Sequence, residues 1–323
     1  MAFAGLTTRR RSRRALLAAV LAALLALRLL AAARAGSFAP DGAVYLTMSR
    51  ELTVRGPAAV ARDYTYPPGY PAAVAALATV TGADGFDDWI IAARAVSICM
   101  SLAALAAVYA ISRHLYGPGA ALAAVLLLGL GRAFLRVGSD VTSDAQAVAA
   151  ATGAIALALA ARRRLQGGAR GAVALAAGAA LSAGLGYLTR PEALLAGAMA
   201  LALLLALRPA DRSGRRAQIA ATLTAAGILL ACVLPYAIAV RGLTRKKSPE
   251  ELLPAAGSRP VPAIPEAHAS GYSPAGPSGR AACCGLAACL PLGRGEPARM
   301  LPAELPTQCG FAREDPFGMG GTP

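Results

Sequence analysis

The sequence predicts an all-α, polytopic transmembrane helical bundle of about seven spans. Three observations predict it. Of 323 residues, 56% are hydrophobic and only 15% are charged, against about 25% charged in an ordinary soluble domain. The apolar residues come in long blocks, which points to a bilayer as the solvent. Arginines cluster in short segments between those blocks, as at the cytoplasmic ends of membrane helices. A soluble globule of this length would need far more charge to cover its surface.

The first block, roughly 15–33, follows Arg9, Arg10, Arg11, Arg13 and Arg14. A secretory signal peptide has the same layout, but six more apolar blocks follow, so an uncleaved first span is expected. The later blocks run 89–111, 119–135, 145–161, 170–188, 191–208 and 217–240. Each is about 17–24 residues, enough to cross a hydrocarbon core about 30 Å thick at 1.5 Å per residue. They must be helices, because lipid offers no partner to unpaired backbone groups.

With a cytoplasmic N-terminus, the inner segments hold Arg9–Arg14, Arg113, Arg162–Arg164, Arg170, Arg208, Arg212, Arg215 and Arg216, in keeping with the positive-inside rule. The acids before Ser248 divide the other way. Asp211 falls inside, whereas Asp41, Glu51, Asp63, Asp84, Asp87, Asp88, Asp140, Asp144 and Glu192 fall outside. Acids contribute little to topology, so chemistry on that face is one explanation of their gathering. The net charge of +15 belongs to this pattern. No basic face with interleaved aromatics is visible, so nucleic acid is not an expected partner.

The outer loop, 34–88, is patterned. Pro40-Asp41-Gly42 starts a helix in which Val44, Tyr45, Met48 and Leu52 recur at helical spacing, and Gly56-Pro57 stops it. One apolar stripe on a polar helix beside the membrane predicts an interfacial helix. A rigid turn, 65–71, follows. A second apolar stretch, 72–80, is too short to span and is expected to be re-entrant or interfacial. The organisation is thus a basic cytoplasmic N-terminus over 1–14, a transmembrane region over 15–247 and a Pro/Gly-rich low-order tail over 248–323. The tail holds 13 of the 22 prolines and reads either as a disordered segment or as an out-of-frame reading of a GC-rich gene. Cys283, Cys284, Cys289 and Cys309 do not have zinc-site spacing.

Several residues are candidates for chemistry. Asp41 reads as an N-cap and also as a general base at the membrane surface. Asp140 and Asp144 lie in Gly138-Ser139-Asp140-Val141-Thr142-Ser143-Asp144. Ser143 and Gln146 have capping-box spacing. The sharper reading makes one of the two acids a second carboxylate facing Asp41, to bind an acceptor, orient the base or help hold a divalent cation such as Mg²⁺ or Mn²⁺. Thr189 and Glu192 also fit a capping box around Arg190 and Pro191. The Arg190 guanidinium suits a phosphate bidentately or snorkels to headgroups. Arg241, Arg245, Lys246 and Lys247 fall outside against the positive-inside rule, and binding an anionic lipid phosphate would explain them. Tyr64, Tyr66 and Tyr70 read as an interfacial aromatic belt or, for Tyr66, as a sugar-stacking surface. Asp84, Asp87 and Asp88 read as a solvated turn capping the next span.

The set Asp41-Gly42-Ala43-Val44-Tyr45-Leu46 after the first span, the Pro-Pro-Gly-Tyr-Pro turn over 67–71, and an Asp opening the fourth span resembles the C-type integral-membrane glycosyltransferases. The branch it is similar to contains the dolichyl-phosphate-mannose protein mannosyltransferases and bacterial aminoarabinose transferases. The resemblance implies a polyprenyl-phosphate sugar donor, inversion at the sugar carbon, and a lipid, glycan or protein acceptor on the non-cytoplasmic face of the cell's inner membrane. The family's first-loop Asp corresponds to Asp41, and its fourth-span Asp to Asp144 or Asp140. Members usually have eleven or more spans, against seven here, which leaves an inactive truncated remnant as an alternative. A transporter or lipid-carrier flippase is another. It would place ionisable residues near the midplane, whereas these acids sit at span ends.

Overall fold

The computed structural model describes residues 2–35, 37–64, 66–167, 171–206 and 212–242. The chain divides into units Met1–Ser258 and Arg259–Pro323. The second, like Arg208, Arg245, Lys246 and Lys247, lies outside the described residues. Every described element is helical, with no strand among the described residues. The order is α1 (Ala2–Arg34), α2 (Pro40–Arg55), α3 (Pro57–Asp63), α4 (Gly69–Thr81), α5 (Phe86–Leu115), α6 (Pro118–Leu130), α7 (Arg132–Val137), α8 (Asp144–Gln166), α9 (Ala172–Tyr187), a 3₁₀ turn (Pro191–Ala193), α10 (Leu194–Leu205) and α11 (Arg212–Ala239).

All seven predicted apolar blocks are helical. Four helices are long and apolar enough to cross a membrane: α1 over Ala15–Arg34, α5, α8 and α11. The other three are shorter, with 13 residues in α6, 16 in α9 and 12 in α10. The block over 119–135 is divided at Gly131, whose ψ of 123° takes the backbone out of the helix before α7 begins. The helix surfaces carry the lipid signature. Leu127, Leu195, Leu223 and Ile238 are more than two-thirds exposed, which a protein in water avoids over so many positions.

The interior is built from small side chains. Ala154, Ala176, Ala183, Ala221 and Ala225 meet with Leu204 and Leu229 where α8, α9, α10 and α11 pack. Without a hydrophobic drive between helices in lipid, close backbone approach supplies the attraction, and small residues permit it. A Cβ on Gly184 would come within 2.5 Å of Cys232 Cβ, so α9 and α11 touch there only because that side chain is absent. The abundance of Ala and scarcity of aromatics in the composition is thus a packing property.

Spans that follow one another in the chain reverse direction, as the ends of α1 and α10 beside the starts of α5 and α11 show, whereas α5 and α8 run parallel. Arg94 on α5 donates to the carbonyls of Ala32 and Ala35 at 3.0 Å each, satisfying orphan acceptors at the end of α1. Arg163 on α8 donates to the His114 carbonyl at the end of α5 at 3.3 Å. Gln218 on α11 donates to the Leu204 carbonyl at the end of α10 at 2.8 Å. One end of the bundle therefore holds Arg113, Arg162–Arg164, Arg212, Arg215 and Arg216, and the other holds the nine described acids.

The apolar stripe expected on α2 is present. Tyr45 and Met48 are buried, and Tyr45 packs with Tyr70 and Val74 of α4. Gly56 ends α2 at φ 78°, a left-handed conformation that suits glycine. The 72–80 stretch is α4, 13 residues long. At α5 the solvated turn holds as expected, with Asp88 accepting the Gly85 N–H at 3.0 Å.

One buried charge was not singled out from the sequence. Arg28 of α1 is fully buried. Its Nε donates to Ser101 Oγ at 2.8 Å, its Nη1 donates to the Leu24 carbonyl at 3.1 Å, and its guanidinium lies 5.5 Å from the Phe134 ring centroid. Its Nη2 has no hydrogen-bond partner.

Candidate active site

The acidic end of the bundle gathers side chains from four places in the sequence. Asp41 lies in the first turn of α2 and is exposed. Its carboxylate would favour the helix N-terminus by charge, but it is not the N-cap. That position is Ala39, and no side chain caps the helix. Asp41 Oδ1 instead accepts the Tyr66 hydroxyl at 3.0 Å.

Tyr45, one turn further along α2, is the hub. Its ring meets Tyr66 and Tyr70 edge-on, with centroids 5.3 Å away in both cases. Such edge-to-face pairs add about 0.5–1.5 kcal/mol beyond buried area. Its hydroxyl shares a hydrogen bond of 2.9 Å with Ser143 Oγ. Ser143 Oγ also accepts Arg190 Nε at 3.3 Å, and Arg190 Nη2 pairs with Asp144 Oδ1 at 2.5 Å. Arg190 and Asp144 are both about 40% exposed, so the pair faces outward. A continuous polar chain results: Asp144, Arg190, Ser143 and Tyr45, with Tyr66 edge-on to Tyr45 and bonded to Asp41.

Burial raises the Tyr45 hydroxyl above the ordinary tyrosine range, opposed by its Ser143 hydrogen bond and by Arg190. Asp41 and Asp144 also raise it electrostatically. Tyr66 is raised by burial and then by its hydrogen bond to Asp41. Both phenols stay protonated at neutral pH and remain donors.

The capping box expected at Ser143 and Gln146 is not formed. No side chain caps α8. Tyr45 and Arg190 hold the Ser143 hydroxyl, and Gln146 Nε2 reaches the Gly69 carbonyl at 3.4 Å. The box expected at Thr189 and Glu192 is also absent. Thr189 Oγ1 donates back to the Leu185 carbonyl at 2.9 Å, and Arg190 occupies the cap position of the 3₁₀ turn, where Glu192 is exposed. Tertiary partners take the Ser143 and Gln146 side chains, whereas Thr189 bonds back within its own helix.

Asp140 is nine-tenths buried. Its Oδ1 accepts the amides of Val141 at 2.7 Å and Ala39 at 3.4 Å. It thereby latches the segment before α8 to the residue preceding α2, and Asp144, not Asp140, meets Arg190. Gly42 fits beneath: a Cβ there would lie 3.1 Å from the Val141 carbonyl oxygen.

The three tyrosines do not form a belt. Tyr70 is fully buried and donates to the Ala93 carbonyl at 3.0 Å. Tyr64 donates to Glu51 at 3.0 Å within a cluster where Arg55 pairs with both Glu51 and Asp63. Only Tyr66 joins Asp41. The turn over 67–71 brings it there, because the Gly69 amide donates to the Leu188 carbonyl at 2.6 Å, two residues before Arg190. Tyr45, Ser143, Gln146 and Gly69 were legible in the sequence as stripe, caps and turn, not as parts of one site. Among the described residues no group of three metal-ligating side chains gathers.

Comparison with curated proteins and with solved structures finds no match. A protein-family comparison matches residues 65–238 to dolichyl-phosphate-mannose-protein mannosyltransferase. That region contains Tyr66, Asp140, Ser143, Asp144 and Arg190, more than half the chain, and begins after Asp41. This all-helical membrane protein, with an acidic and tyrosine-rich cluster at one end of its bundle, belongs to the dolichyl-phosphate-mannose-protein mannosyltransferase family, a family of C-type membrane glycosyltransferases.

Proposed function

We propose that this chain transfers a sugar from a polyprenyl-phosphate carrier to a hydroxyl or amine of a lipid, glycan or protein acceptor on the non-cytoplasmic face of the inner membrane. The observation that carries the reading is the convergence of Asp41, Tyr66, Asp144 and Arg190 at the acidic end of the bundle. The family membership supports a lipid-linked donor. The gathering of the nine described acids at one end, with Arg113, Arg162–Arg164, Arg212, Arg215 and Arg216 at the other, supports the choice of face.

In the proposed step, the acceptor O–H or N–H gives its proton to the Asp41 carboxylate, which is exposed and general-base competent. The acceptor atom bonds to the anomeric carbon on the side opposite the phosphate. The bond from that carbon to the phosphate oxygen breaks, and its electron pair leaves with the polyprenyl phosphate, inverting the centre. Arg190 stabilises the negative charge that develops there, with Arg245, Lys246 and Lys247 as further cations for the phosphate. Asp144 aims Arg190, and Asp140 holds the backbone around the base. Tyr66 orients Asp41 and offers a ring edge to the sugar, and Glu192 is available to a sugar hydroxyl. Among the described residues Asp144 is paired with Arg190 and no set of three cation ligands gathers.

Membranes bearing the Asp41→Asn variant, supplied with a radiolabelled polyprenyl-phosphate sugar, test the reading. Transfer falls by about 100-fold or more while the protein level is unchanged. Undiminished transfer removes Asp41 from the reaction.

A further inference from the structure

The basic end of the bundle holds two adjoining cavities that the proposed reaction does not use. Between α5 and α8 lies a cleft of about 380 Å³, lined by Tyr109, Arg113, His114, Leu159 and Arg163. Between α1, α5 and α6 lies an apolar groove of about 190 Å³, lined by Leu16, Leu17, Tyr109, Pro118 and Leu122. Tyr109 lines both, so the two adjoin at one side chain.

We propose that these cavities form a binding site for one anionic phospholipid, with its phosphate in the cleft and an acyl chain in the groove. The charge pattern selects the headgroup. Arg113 and Arg163 flank the cleft, Arg162 and Arg164 neighbour it, and the nine described acids lie at the other end of the bundle. Arg163 is held over the cleft by its hydrogen bond to the His114 carbonyl. A guanidinium takes phosphate oxygens through paired N–H donors. The groove selects the tail, since its Leu and Pro walls offer no polar partner. A small free anion would fill the cleft and leave the groove unused. The site sits at the end of the span-length helices α5 and α8, where a phospholipid's phosphate lies at a membrane surface.

Native mass spectrometry of the full chain in detergent tests this. The probes are dioleoyl phosphatidylglycerol, phosphatidylcholine of the same chains, and inorganic phosphate. One phosphatidylglycerol per chain is retained in preference to phosphatidylcholine. Arg113→Gln with Arg163→Gln lowers its occupancy at least about ten-fold. Arg212→Gln with Arg216→Gln, the same charge loss at the same end but off the cleft, leaves occupancy unchanged. Leu122→Trp fills the groove and lowers occupancy with the cations intact, which decides the matter should the first double variant fail to fold. Equal retention of phosphatidylcholine, equal loss in the two double variants, displacement by millimolar inorganic phosphate, or full occupancy in Leu122→Trp overturns the proposal.

Discussion

The Gly69 amide donates to the Leu188 carbonyl at 2.6 Å, joining the turn between α3 and α4 to the end of α9 across more than a hundred residues. A Cβ at Gly69 would lie 2.7 Å from the Leu188 carbonyl carbon. That atom is backbone and cannot turn aside. Gly69→Ala therefore destabilises the fold by about 2 kcal/mol, read as a lower thermal midpoint in detergent. An unchanged midpoint would mean that the close approach relaxes freely.

Tyr66→Phe removes the hydroxyl that Asp41 accepts while keeping the ring against Tyr45. A hydrogen bond to a charged group is worth about 1.5–3 kcal/mol. Transfer from a labelled polyprenyl-phosphate sugar is expected to fall about ten-fold or more, with the thermal midpoint nearly unmoved because Tyr66 is partly exposed. Wild-type transfer rates in this variant would leave the phenol as packing alone.

Arg190 and Asp144 act as one unit if Asp144's task is to aim the guanidinium. Arg190→Gln lowers transfer by about 100-fold. Asp144→Asn lowers it less, and the double variant is no worse than Arg190→Gln alone. Fully additive losses in the double-mutant cycle would separate their roles.

Tyr64 gives the fold an alkaline dependence. Burial, and then its hydrogen bond to Glu51, push its hydroxyl up to about 12 from an ordinary 10.0. Between those values the folded chain keeps a proton that the unfolded chain has released, so unfolding is favoured as pH rises. The contribution is fully present below pH 10.0 and is lost toward about 12. Thermal midpoints of Tyr64→Phe should fall less steeply than wild type across this window. Parallel curves would assign the alkaline loss to other groups.

Hydropathy revealed the seven helical blocks because lipid demands continuous apolar helices. It did not reveal the division at Gly131, since one glycine inside a leucine-rich run leaves the apolar average unchanged. Periodicity identified the stripe of Tyr45 and Met48 on α2, but it says which face is covered and not by what. Here the cover is Tyr70 and Val74 of α4. The gathering of Asp41, Asp144 and Arg190 was not readable from spacing, because about a hundred residues separate the first two. The family resemblance linked Asp41 with Asp144, Arg190 was already a candidate for the phosphate, and the geometry paired it with Asp144. Ser143 and Gln146 carried a real local signal, yet capping is a short-range preference worth about 1 kcal/mol. Partners from α2, α4 and the α9 end displaced it. Tyr70 belonged to an aromatic cluster in sequence and to the enclosed interior in space, a distinction that depends on the α4–α5 packing.

The buried guanidinium of Arg28 bears on how the chain integrates into the membrane. Alone in hydrocarbon, an arginine disfavours insertion of its helix by up to about 2.5–3.5 kcal/mol, the value at a span's centre, and Arg28 lies about one turn from the centre of Ala15–Arg34. The groups that receive it, Ser101 and the Phe134 ring, belong to segments synthesised long after α1. The opening helix is therefore expected to integrate more completely once α5 and α7 have emerged. A ribosome-bound nascent chain ending before residue 86 should accordingly integrate less completely than one extending past Val137, and equal integration would show that α1 settles unaided.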